Sequence, residues 1–423
     1  MKAAPVFKIT PTIQEYDWGK PGLSSKVAQF ATAAGLAGFS VKESTPYAEL
    51  WMGTHTKSPS LVSSTSEPLG AYLSKNPSFI GEAVAHKFHV TDGNLPFLFK
   101  VLAIQKALSI QSHPDLATAK VLHADHPDIY KDPNHKPEMA LALTPFTALC
   151  GFLPLPIIAK YLSVTPEFAA LVPTAIAERF TSLSTSSTPT GLEEKQALKD
   201  VFSAVMTADE AEFKAQLTKL VDRYAAGKVH EEELSVKELV LRVNEQFPGD
   251  IGTFCVFLLN YVQLQPGEAV FLGAGEPHAY ISGDIMECMA NSDNVIRAGL
   301  TPKLRDIPNL VSTLTYAAAP PTKHKVQPSP FRGTAHSTLY DPPIPEFSVL
   351  QVVVPAGEKE RHPPIQGPSI AIVTEGSGQV SWGLSGDNLD LGEGTVVFVG
   401  ADVEVEFTAG DAKFVVHRAF VEA

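Results

Sequence analysis

Up to residue 152 the apolar positions come in short bursts, alternating with polar ones or uninterrupted, the spacing of half-buried and fully buried strands. Residues 96–104 (PFLFKVLAI), 108–113 and 138–143 predict three strands, with a helix starting near Pro114 and Asp115. From Pro154 to about Asn260 the period lengthens to that of amphipathic helices. Leu198, Val201, Phe202, Val205 and Met206 share one face, as do Phe213, Leu217, Leu220, Val221 and Tyr224, and then Val236, Leu239, Val240 and Val243. Thr165 before Pro166 predicts a helix start, and Thr207 with Glu210 and Ser235 with Glu238 predict capping boxes. Residues 181–191 (TSLSTSSTPTG) predict a loop. Strands resume at 268–272. A proline-dense stretch, 317–347, then predicts a stiff linker, and short strands at 370–373, 379–382, 396–399, 403–407 and 414–417 predict a second β unit.

A short internal repeat joins the two β regions. Residues 268–278 (EAVFLGAGEPH) align with 395–405 (TVVFVGADVEV), placing His278 opposite Val405. The alignment implies two related β units, one with a histidine at this position and one without.

The 423 residues are 44% apolar and 19% charged, a globular composition, and about 150 residues per domain gives roughly three domains. A net charge of −13 argues against nucleic-acid and anionic-membrane partners. Cys150, Cys255 and Cys288 are too few and too scattered for a disulfide framework, which points to a reducing cytoplasm. The N-terminus has no apolar core of a secretory signal. Residues 139–159 carry no charge and are long enough to span a bilayer, but Pro145, Gly151, Pro154 and Pro156 interrupt them. Buried strand and turn are expected there.

Candidate chemistry gathers in three places. On a strand, Ser109, Gln111 and His113 project to one face. With Glu138 opening one strand and His278 ending another, Gln111 and His113 make a mixed N/O set suited to Zn²⁺ with an open position, or to Fe²⁺ or Mn²⁺. Lys100, Lys136, Arg297 and Lys303 flank these segments. Lys100 lies inside an apolar run, where an unpaired ammonium is costly to bury and a bound phosphate would offset the cost. Residues 283–303 crowd Glu287, Asn291, Asp293, Asn294 and Arg297 together, as an active-site loop does.

Six segments in order carry a resemblance over most of the chain: YDWGK (16–20), YAELWMGTH (47–55), LPFLFKVLAIQKALSIQSHPD (95–115), HKPEMALAL (135–143), GEPHAY (275–280) and GDIMECMANSDNVIRAGLTPK (283–303). They resemble type I phosphomannose isomerases. The resemblance implies a mainly β fold with a helical insertion: a cupin-type β-barrel catalytic core (1–152 and 261–322), an inserted α-helical domain (153–260) and a second, C-terminal cupin-like β-barrel without metal ligands (323–423). It implies one Zn²⁺ per chain, held by Gln111, His113, Glu138 and His278, with Arg297 as an active-site residue. The implied reaction interconverts mannose 6-phosphate and fructose 6-phosphate, feeding GDP-mannose synthesis.

Around that centre Lys136, Glu287 and Asp293 are the candidate bases, and Ser109, Lys100, Arg297 and Lys303 the candidate phosphate contacts. Trp18, Tyr280 and Glu49 are candidate pocket walls. A cytoplasmic monomer with a sugar-phosphate substrate is expected. Two rival readings are a metal-dependent cupin oxygenase, against which the cations count, and a sugar-phosphate-binding module without turnover, against which the intact ligand set counts.

Overall fold

The apolar run near residue 100 becomes the strand Phe97–Ile104, buried at every position. Its two faces meet different neighbours. Phe97, Phe99, Val101 and Ala103 pack into a core shared with Ile370, Ile372, Phe398 and Ala419 from the C-terminal part of the chain. Leu98, Leu102 and Ile104 alternate with them and face the other way, and so does Lys100. The computed structural model describes residues 4–384 and 386–423.

The first large sheet is organised by the thirteen-residue strand His278–Ala290. Its C-terminal half pairs with Phe97–Ile104 and Glu138–Ala142, and its N-terminal half with Phe146–Phe152. Between the halves lies Gly283, at φ +119°, where an added Cβ would sit 2.6 Å from the Pro145 carbonyl oxygen. Only glycine lets the strand bend there and serve both sets of neighbours. His278 itself pairs with Gln111 of the strand Ile110–Ser112, which pairs in turn with Ile296–Gly299. The uncharged stretch therefore contains most of the strand Glu138–Ala142, all of Phe146–Phe152 and the start of the helix Leu155–Val164. No described helix is long and apolar enough to cross a membrane.

The helical insertion follows the expected faces. Leu192–Met206, Glu210–Ala225 and Lys237–Gln246 bury their apolar stripes in one core. Two of its starts differ from expectation. Asp209 caps Glu210–Ala225 by accepting from the amides of Ala211 and Glu212, while the Thr207 hydroxyl donates back to the Ser203 carbonyl. The helix Lys237–Gln246 follows Val236 without a side-chain cap. Thr165 does start the helix Pro166–Ala169 as expected, but its hydroxyl donates to buried Glu233 instead of capping it. At Thr165 a buried carboxylate takes the hydroxyl that local patterning assigns to a cap. Asp115 does cap Leu116–Asp125.

The C-terminal sheets comprise an eight-stranded and a four-stranded layer. The strand Val6–Thr10 belongs here by pairing, since it joins Val396–Val399 antiparallel. The proline-dense stretch is more than a linker. Lys325–Val326 extends the first sheet beside Ala269–Val270, and Ser337–Tyr340 joins the second. The repeat is structural as well: Ala269–Leu272 and Val396–Val399 are strands, and His278 and Val405 each open the next one. The second unit does hold a buried histidine, His362, paired with Val405. Its ring is occupied by Ser337 and Arg418, so it is not free to take a metal.

Candidate metal centre and substrate cleft

Three strand ends bring His113, Glu138 and His278 together, with one ligand atom from each within 4.8 Å of the others and all three buried. His113 follows the strand Ile110–Ser112, while Glu138 and His278 open theirs. Each imidazole is oriented from behind. His113 Nδ1 donates to the Asn294 carbonyl at 2.6 Å and His278 Nδ1 to the Glu276 carbonyl at 2.9 Å. That leaves both Nε2 lone pairs pointing inward, without hydrogen-bond partners. Burial lowers the His113 pKa to about 4, so the ring is neutral at pH 7.

Glu138 faces the same point, its oxygens 3.2 Å from His113 Nε2 and 3.5 Å from His278 Nε2. Burial pushes its carboxyl up, but Lys136 and the imidazoles outweigh burial and hold it well below the usual range. Two lone pairs and a carboxylate converging in a buried space repel one another unless a cation joins them. The donor set, two nitrogens and one carboxylate oxygen, fits Zn²⁺ with an open position. Gln111 stands opposite His278 in register and lines the adjoining cleft.

That cleft has a volume of about 640 Å³. The candidate phosphate contacts Ser109, Arg297 and Lys303 line it, and so do Gln111 and the candidate pocket walls Trp18 and Glu49. Arg297 pairs with Gln111 across neighbouring strands. Burial alone lowers its pKa, and no carboxylate among the described residues pairs with it. An unpaired guanidinium in a cleft is chemically suited to an anion.

Other candidates lie elsewhere. Lys100 is not an ammonium awaiting a phosphate: Glu287 lies 3.0 Å and Glu49 3.4 Å from its Nζ, and Trp51 covers it at 4.9 Å. Burial alone would lower its pKa, but these carboxylates raise it. Tyr280 is a buried prop rather than a pocket wall, its hydroxyl donating to Glu138 Oε2 at 3.1 Å. Lys136 reaches Glu138 Oε1. Asp293 is held well below its usual range by hydrogen bonds from His55 and Lys57, the latter at 2.9 Å. Glu287 is fully buried, and burial pushes its pKa up against the pull of Lys100.

The sequence reading missed Lys106, Gln246, Phe247 and Asp250, which also line the cleft. Three of these come from the end of the helical insertion. The helix-breaking run Phe247-Pro248-Gly249-Asp250 was the available signal.

Residues 6–155, 171–259 and 337–384 match the catalytic, helical insertion and C-terminal domains of phosphomannose isomerase type I. The chain is 50% identical to mannose-6-phosphate isomerase of Cryptococcus neoformans var. neoformans serotype D, over 99% of each chain. The chain belongs to the type I phosphomannose isomerases. Within this family it is also 46% identical to mannose-6-phosphate isomerase of Saccharomyces cerevisiae, again over 99% of each. A zinc-bound crystal structure of mannose 6-phosphate isomerase aligns over 99% of this chain and 100% of that one, with a TM-score of 0.79 at 30% identity.

Proposed function

We propose that this type I phosphomannose isomerase interconverts mannose 6-phosphate and fructose 6-phosphate as a zinc enzyme. The observation that carries the reading is the pair of inward Nε2 lone pairs facing Glu138, next to a cleft that holds an unpaired arginine. Gln111 completes the ligand set from the cleft side. Zinc supplies a Lewis acid for the sugar's carbonyl and hydroxyl oxygens.

The chain's own groups do the rest. Moving the carbonyl from C1 to C2 removes the C2 proton, forms a cis-enediolate and returns a proton to C1. Arg297 offers a guanidinium to the oxygen where negative charge develops, or to the phosphate. Glu287 and Lys136 are the stronger candidates for proton transfer. Glu287 has its pKa raised by burial, whereas Asp293 is kept ionised by His55 and Lys57 and is the weaker base. Ser109 and Lys303 line the cleft and are assigned to the phosphate end.

The division into core (1–152 and 261–322), insertion (153–260) and C-terminal unit (323–423) belongs to the same proposal. So do a monomer, a cytoplasmic setting, a net charge that disfavours nucleic acid, and supply of GDP-mannose synthesis. Three buried free cysteines support the reducing compartment.

The test is a coupled assay on zinc-loaded protein with mannose 6-phosphate and with free mannose. A charge-assisted hydrogen bond contributes roughly 1.5–3 kcal/mol, so losing two or three contacts predicts a preference of about 10²-fold or more for the phosphate. Equal kcat/KM on the two sugars, or no turnover by protein holding one zinc per chain, overturns the reading.

A further inference from the structure

The helical insertion closes with the helix Lys237–Gln246, and this helix and the turn after it grip both walls of the cleft. On one wall, Gln246 Oε1 accepts from the Ala107 amide at 2.9 Å and Arg242 Nη2 donates to the Gln105 carbonyl at 3.2 Å. The Phe247 ring meets the Lys106 ammonium at 4.4 Å. Asp250 Oδ1 accepts from the amide of Gly252 in its own turn at 2.7 Å and, on the other wall, from that of Leu300 at 2.8 Å, while Oδ2 accepts from that of Thr301 at 3.1 Å.

Leu300 needs that restraint. Its φ is +53°, a left-handed conformation that a branched side chain disfavours, and it lies between Arg297 and Lys303 in the chain. Close packing supports the same turn. A Cβ on Gly299 would come within 2.5 Å of Gly252 Cα, so the backbones of 250–252 and 299–300 touch directly. Both oxygens of Asp250 are occupied by amides, so it acts through the turn.

We propose that Asp250 is a positioning residue for phosphate recognition. It holds Leu300 and Thr301 so that Arg297 and Lys303 present their charges at a fixed spacing. The helical insertion thereby sets the geometry of the anion-binding wall. This rests on the sugar-phosphate reading above.

The experiment uses the full-length zinc-loaded protein and four variants: Asp250→Ala, Asp250→Asn, Leu300→Gly, and Asp250→Ala with Leu300→Gly. Each is measured for zinc content, for kcat and KM with mannose 6-phosphate, and for calorimetric binding of inorganic phosphate. Asp250→Ala is expected to raise KM and the phosphate Kd about tenfold, equivalent to losing one charge-assisted contact, with kcat changed less and zinc retained. Asp250→Asn keeps an acceptor for Leu300 but loses the one for Thr301, and should fall between. Glycine adopts the left-handed conformation freely, so Leu300→Gly should recover part of the loss in the double variant.

Unchanged KM and phosphate Kd with only a lower Tm would reduce Asp250 to a helix cap and overturn the proposal. Equal losses of zinc and kcat would overturn it too. If Asp250→Ala does not fold, an unchanged KM in Asp250→Asn is decisive against it. Failure of the wild-type protein to turn over mannose 6-phosphate would overturn the substrate reading instead, and phosphate binding would still rank the variants.

Discussion

Lys100 and Glu287 lie directly opposite each other on neighbouring antiparallel strands, Nζ to Oε2 at 3.0 Å. Glu49 closes on the same ammonium at 3.4 Å, two residues before Trp51, whose ring covers it. An ammonium in an otherwise apolar strand is thus neutralised from within the sheet, and the wall beside the metal centre carries its own ion network.

Lys100→Met is therefore expected to strand two buried carboxylates. Removing one partner of a buried ion pair costs about 3–5 kcal/mol, readable by urea unfolding. Stability and kcat should both fall. A rise in KM for mannose 6-phosphate with unchanged stability would return Lys100 to the phosphate.

Tyr280→Phe removes the hydroxyl that donates to Glu138 at 3.1 Å and leaves the packing of the ring. Hydrogen bonds behind a metal ligand are worth roughly 10–100-fold in metal affinity. Chelator competition should show zinc held at least about tenfold more weakly, with KM little changed. Unaltered zinc affinity would leave the hydroxyl without this role.

Arg297→Ala removes from the cleft a guanidinium that pairs with no carboxylate among the described residues. Activity should drop about 10²-fold or more while zinc content stays at one per chain. A fall in kcat alone assigns Arg297 to the enediolate, and a rise in KM as well assigns it to the phosphate. Near-wild-type kinetics would remove it from the site.

Acid sensitivity should come partly from the C-terminal unit. Burial holds His417 at about 4 rather than 6.5, so the unfolded chain takes up a proton that the folded chain refuses. Stability is then full above pH 6.5 and is lost as pH falls toward 4, at a cost of about 2 kcal/mol by pH 5. His417→Gln, which keeps a polar group near Thr374 and Gln351, should flatten that slope in urea titrations at pH 7 and pH 5. An unchanged slope would exclude His417 as a source.

The amino-acid sequence by itself determined the order of β and helical segments, the helix faces, and the residue types at the metal centre. Period 2 and period 3.6 are local properties, and a ligand-type residue at a strand end is visible without its partners. Tertiary structure decided the rest. Lys100 read as needing an outside anion because Glu49 and Glu287 lie far away in sequence and meet it only through strand register. Thr207 read as a cap because Asp209, an equally good capping residue, stands two positions later and local patterning does not choose between them; Ser235 read as a cap although its helix starts at Lys237 without a side-chain cap. The proline-dense stretch read as a linker because its short strands are stable only against sheet edges that other segments provide. The second wall of the cleft was hidden for the same reason: Asp250 becomes part of it only when the insertion folds back and its carboxylate meets the amides of Leu300 and Thr301. Contacts of that kind are fixed by register and packing between distant segments, and no local pattern encodes them.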